Sequence, residues 1–89
     1  MEIQHDKENR RYKLPLDDGI ATVDYSLSQG KMFLTYSEVP VHVRSKGYGK
    51  ILVEKTFEKL TEEGYKAVAV CSYVDKIARS SKKWNAIIE

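Results

Sequence analysis

Seven consecutive residues, Arg44 to Lys50 (RSKGYGK), hold one arginine, two lysines and two of the chain's five glycines. Placed ahead of a helix, such a stretch is suited to holding an anion. The first turn of a helix presents unpaired backbone N–H groups and the positive end of its dipole, and glycine lets a phosphate come close to the backbone. The same residues equally suit a solvated basic turn, and residue type alone leaves both readings open. Two familiar phosphate loops are excluded by spacing. A Walker loop ending at Gly49-Lys50 needs glycine where Arg44 stands and serine or threonine where Ile51 stands. A dinucleotide fingerprint starting at Gly47 needs a small residue where Leu52 stands.

Two further side chains have chemistry to offer. Glu38 ends the run KMFLTYSE and can remove a proton if burial raises its pKa, although a glutamate at a strand end is usually solvated. Cys71, the single cysteine, closes AVAVC, where the base rate favours a small core hydrophobe. His42 reads as an exposed strand-end residue rather than a base, and the sequence names no partner for His5. The cations Lys76, Arg79, Lys82 and Lys83 read as a solvated face, and Trp84 as a core residue.

The elements that must position these residues follow from periodicity. Glu2 to Leu14 suggests two short strands around the turn DKEN. From Gly19 the alternation is clear: Ala21, Val23, Tyr25 and Leu27 share one face, while Ile20, Thr22, Asp24 and Ser26 share the other. The segment SQG supplies a tight turn into KMFLTYSEV, and the extended stretch runs on toward Val43 with an interruption at Pro40. Leu52, Val53, Thr56, Phe57 and Leu60 recur at helical spacing up to a stop at Gly64. The apolar run KAVAVCS suits a central strand buried on both faces and parallel to the strand before the helix. A short helix from about Val74 to Arg79 and a last extended piece from Trp84 to Ile88 complete the chain. This order gives an α+β (α/β) fold: a mixed, mainly antiparallel sheet with a central βαβ unit, one long helix and a short C-terminal helix.

The pattern R-x-x-G-x-G, here Arg44, Gly47 and Gly49, resembles the pyrophosphate loop of the GNAT superfamily of acetyl-CoA-dependent N-acetyltransferases. The likeness extends over Ser37 to Val74, SEVPVHVRSKGYGKILVEKTFEKLTEEGYKAVAVCSYV, and is to the compact, single-domain branch of that superfamily. The resemblance implies acetyl-CoA as cosubstrate, an amine acceptor (protein lysine, terminal amine or polyamine) and no metal. It places the CoA pyrophosphate on backbone N–H groups from Ser45 through Lys46, Gly47, Tyr48 and Gly49 to Lys50, with Arg44, Lys46 and Lys50 adding charge. The pantetheine arm falls along Val39 to Val41. Glu38 becomes the candidate base and Cys71 the candidate catalytic thiol, either an acyl carrier or the acid that protonates the leaving CoA thiolate. No histidine adjoins Cys71 in sequence, which favours the acid or positioning role. The tyrosine that the superfamily usually carries on the helix after the second parallel strand is missing from VDKIARSSKKW, and Tyr73 is the nearest substitute. The two helices that wall the acceptor site in larger members have no room in HDKENRRYKLPLDD, so the acceptor groove should be open.

Composition limits the alternatives. The 89 residues, read as one domain, carry a formal charge of +2, with 42% hydrophobic and 31% charged residues, ordinary for a soluble globular chain. No apolar run is long enough to span a bilayer, and the polar start MEIQHDKENR lacks the core of an export signal. With a single cysteine, the expected location is the cytoplasm. A non-catalytic CoA-binding or protein-interaction module on the same fold is the runner-up. Nucleic-acid binding ranks lowest, because Tyr25, Phe33 and Tyr36 are not interleaved with basic residues. The sequence carries no signal for oligomeric state.

Overall fold

The computed structural model describes residues 2–88. Strands β1 (Gln4–Asp6), β2 (Arg11–Leu16), β3 (Gly19–Ser28) and β4 (Lys31–Glu38) lead through a 3-10 helix, Val41–Lys46, into α1 (Tyr48–Glu62). Strand β5 (Lys66–Ala69) and helices α2 (Ser72–Arg79) and α3 (Lys82–Asn85) complete it. The strands form one sheet in sequence order, antiparallel from β1 to β4 and parallel between β4 and β5. The expected mixed, mainly antiparallel sheet with a βαβ unit is therefore present.

Local chemistry explains most of the boundaries. Gln29 and Gly30, both at positive φ, close the two-residue turn between β3 and β4, whose twist matches paired strands. Helix α1 ends where Gly64 takes φ +88° and the N–H groups of Gly64 and Tyr65 return to the carbonyls of Thr61 and Leu60. Along β3, Ala21, Val23 and Tyr25 point inward as their spacing predicts, while Leu27 is exposed. Opposite them Leu52, Val53, Phe57 and Leu60 of α1, with Val74 and Ala78 of α2, close one core. All helical cover lies on this side of the sheet. The other side carries Arg11, Thr22, Asp24 and Phe33, each only half-buried, and Ile20, exposed.

Three expectations are corrected. The extended stretch ends at Glu38 rather than near Val43, because Pro40 takes φ −50° and starts the 3-10 helix. Strand β5 is short and lies at the sheet edge, so only Ala67 is fully buried and Val70 is exposed. The C-terminal piece is helical: the Ser81 hydroxyl caps α3 by accepting from the Trp84 N–H, and the Trp84 ring stacks on Phe57 at 5.4 Å between centroids. That packing fixes the segment as a helix docked on α1, with Trp84 in the core as its type suggests. Helices α1 and α2 also begin earlier than the periodic residues show, at Tyr48 and Ser72. Their first turns carry the loop residues of the candidate site.

Candidate active site

The site starts from a defect in β4. Asp24 pairs with Tyr36 but Tyr25 pairs with Leu34, so Thr35 is an extra residue, a β-bulge, and its hydroxyl donates to the Asp24 carbonyl at 3.3 Å. One inserted residue inverts the alternation. Met32 and Leu34 face the helices before the bulge; after it Ser37, opposite inward-facing Val23, takes that side, and Tyr36 and Glu38 turn to the open face. The bulge also ends the parallel ladder. Leu34 is the last residue of β4 paired with β5, and its carbonyl accepts from both Val70 and Cys71, at 3.1 and 2.8 Å. Beyond that point Thr35 to Glu38 have β3 on one side and no strand on the other. The two parallel strands splay there into a cleft of about 540 Å³.

Cys71 stands at the fork. It is the N-cap residue of α2 and half-buried, and its Sγ lies 3.4 Å from the Ser37 Oγ. Burial pushes the thiol pKa up, but the Ser37 hydroxyl and the backbone N–H groups of Val74, Tyr73 and Ser37 outweigh it and hold the thiol below its ordinary value. The activating hydroxyl thus comes from a strand 34 residues away, beside backbone N–H groups at the start of α2. Glu38 lines the same cleft from the opposite side of the sheet, with the Tyr36 hydroxyl 3.5 Å from its carboxylate. Thiol and carboxylate flank the gap between β4 and β5 from its two faces.

The glycine loop adjoins the cleft, and Arg44 and Gly49 of it line the wall. Gly47, at φ +78°, is the N-cap of α1; no side chain caps that end and no acidic residue sits in the first turn. A Cβ at Gly47 would meet nothing within 4 Å, so the space beside this N-cap is open, and the N–H groups of the first turn have no partner within the helix. Gly49 has a different role. A Cβ there would run into the Tyr73 hydroxyl, so Gly49 is the bare patch of helix on which the Tyr73 ring rests. Arg44 is exposed and its Nε donates to the Val39 carbonyl at 2.9 Å, fixing the bend between β4 and the 3-10 helix. His42 serves the same loop as a brace: its Nε2 donates to the Asp18 carbonyl at 2.8 Å, tying the 3-10 helix to the turn between β2 and β3.

Six residues singled out from sequence therefore share the cleft wall: Glu38, Val39, Arg44, Gly49, Cys71 and Tyr73. Ser45, Lys46, Gly47, Tyr48 and Lys50 lie on the adjoining 3-10 helix and first turn of α1 rather than in the wall, and Val41 points into solvent with 75% of its surface exposed. Lys50 is also within 3.9 Å of Glu54 on the next turn. Sequence reasoning missed Ser37, Thr35, Tyr36 and Ser72 in the wall. The bulge that aims the first three leaves no mark in residue type. Among the described residues no cluster of His, Cys, Asp and Glu is arranged to hold a metal ion.

A mixed sheet whose parallel pair splays beside a glycine-entered crossover helix is a GNAT-like α+β fold. The family model for GCN5-related N-acetyl-transferases matches residues 11–87, nearly the whole chain, and the protein belongs to that family. No curated protein matches it.

Proposed function

We propose that the protein transfers an acetyl group from acetyl-CoA to an amine, with the thioester carbonyl held in the gap between β4 and β5. The observation that carries this reading is the convergence of Cys71, Glu38 and the uncapped start of α1 on one cleft. The residues fit the cosubstrate. Open space beside Gly47 and the basic side chains Arg44, Lys46 and Lys50 suit a pyrophosphate, and the edge of β4 from Thr35 to Glu38, which has no strand beside it, suits the amide groups of pantetheine. Tyr73 would border the arm. In the reaction the amine nitrogen bonds to the acetyl carbon, the carbon–sulfur bond breaks, and the amine's proton passes to Glu38. Cys71 then gives its proton to the departing thiolate, a task for which a thiol pKa drawn down toward the operating pH is an advantage.

Because the helices cover one face only, the acceptor reaches the cleft from the open face, past Tyr36 and Glu38. That geometry favours an amine presented on a larger surface, such as a protein lysine or chain terminus, over an enclosed metabolite. A cytoplasmic location accords with the free Cys71, and among the described residues no helix is long and apolar enough to cross a membrane. The reading is tested with Cys71→Ala. Transfer to a lysine peptide should fall about a hundredfold with acetyl-CoA affinity kept, the range for loss of one general acid. Wild-type transfer in the variant would return Cys71 to packing. Intact mass after incubation with acetyl-CoA should show no stable adduct on the wild type, and an acetyl adduct lost with the cysteine would make Cys71 an acyl carrier instead.

A further inference from the structure

We propose that Ser37 is a positioning residue for Cys71, its hydroxyl donating to the sulfur and thereby setting how readily the thiol ionises. The inference rests on the reading that Cys71 acts on the acyl donor, and its evidence is geometric. Ser37 Oγ lies 3.4 Å from Cys71 Sγ, and both side chains line the cleft at the strand fork. The Thr35 bulge makes this contact. Without it Tyr36 would continue the inward series of Met32 and Leu34, and Ser37 would point to the open face. Ser37 is thus brought onto the thiol by the same irregularity that opens the site. The other charged or titratable groups in the cleft are Tyr36 and Glu38 of β4, Arg44 of the 3-10 helix and Tyr73 of α2, while α1 contributes Gly49. The other donors to the sulfur are backbone N–H groups, those of Val74, Tyr73 and Ser37 itself, which leaves the Ser37 hydroxyl as the side-chain group placed to tune it.

A hydrogen bond to an ionised sulfur favours the thiolate, so its loss raises the thiol pKa. The chain has a single cysteine, so labelling by iodoacetamide reports on Cys71 alone. The rate is measured against pH on the protein without acetyl-CoA, for wild type, Ser37→Val and Ser37→Thr. Valine and threonine have the same shape and differ by the hydroxyl. The valine variant should label about tenfold more slowly at neutral pH, with its profile displaced upward by roughly one pH unit, and threonine should stay close to wild type. Ser37→Ala is the second hydroxyl-free variant, with thermal melting followed on all of them so that a folded one decides. An unchanged profile in a folded Val or Ala variant, or a threonine variant that behaves like valine, overturns the assignment. In turnover the alkaline limb of the kcat/KM profile, where a required acid loses its proton, should move with the labelling profile while the acetyl-CoA Kd stays put. Because labelling needs no acyl donor, a displaced profile in a protein that transfers nothing would keep Ser37 and defeat the acyltransfer reading. Transfer that ignores both Ser37 and Cys71 would defeat the two together.

Discussion

Gly47 and Gly49 sit one residue apart, yet they answer to different constraints. Gly47 needs its glycine for a left-handed backbone with clear space above it, and Gly49 needs its own for the Tyr73 ring pressed against a normal helical turn. Asparagine tolerates the left-handed region, so Gly47→Asn should melt within about 1 kcal/mol of wild type. Its side chain would enter the space proposed for the pyrophosphate, and acetyl-CoA affinity by calorimetry should drop at least about tenfold. Unchanged affinity would move the phosphate elsewhere. For Gly49→Ala the helix gains, by about 1 kcal/mol, and the Tyr73 ring must move. A melting cycle with Tyr73→Ala should be non-additive; additive effects would mean that the contact carries no energy.

At the scale of elements, the far end of α1 is tied to the sheet by a polar cluster. Glu63 accepts from the Tyr12 hydroxyl at 2.8 Å and bonds His5 Nδ1 at 2.9 Å, and His5, with only 5% of its side chain exposed, also meets the Tyr25 hydroxyl and stacks on Tyr12. Burial pushes the Glu63 carboxyl up, but the hydrogen bonds from His5 and Tyr12 prevail and hold it below the ordinary carboxylate range. A carboxyl depressed by folding contributes stability above its unfolded pKa, about 4.3, and loses that contribution as pH falls through the lower folded value. Acidification below about pH 4.5 should therefore weaken the wild type more than Glu63→Gln, and at pH 7 the variant should be less stable by about 1 kcal/mol, a small figure because the carboxylate is partly solvated. Parallel denaturation curves at pH 7 and pH 3.5 with no difference in slope against pH would show that the cluster does not couple to protonation. This cluster also marks where sequence reading stops. Turns, caps and the α1 face were legible because each is set by neighbours: Gln29-Gly30, Gly64, and Leu52 through Leu60. His5 meeting Glu63, the edge position of β5, the Thr35 bulge and the Ser37 contact all arise from strand pairing over tens of residues, and residue type does not encode them locally.

On the scale of the whole molecule, the covering of one sheet face and not the other gives the proposed reaction its direction. The helical side holds the glycine loop, Ser37 and Cys71; the open side holds Tyr36, with 53% of its surface exposed, and Glu38. The short turn between β1 and β2 brings no helix over that side, so in the proposed reaction an acceptor would meet Glu38 before the thioester. A group that acts on the acceptor alone should affect turnover and leave donor binding untouched. Glu38→Gln keeps the shape of the side chain and removes its basicity, and transfer to a lysine peptide should fall about a hundredfold at saturating acetyl-CoA while the Kd for acetyl-CoA changes less than about twofold. The loss should shrink as pH is raised, because more of the acceptor amine then arrives already deprotonated and needs no base. A variant that transfers at the wild-type rate at every pH would leave Glu38 as an exposed strand-end carboxylate. A variant that loses donor affinity in step with turnover would put Glu38 on the CoA side of the sheet, contrary to the register that pairs it with Thr22.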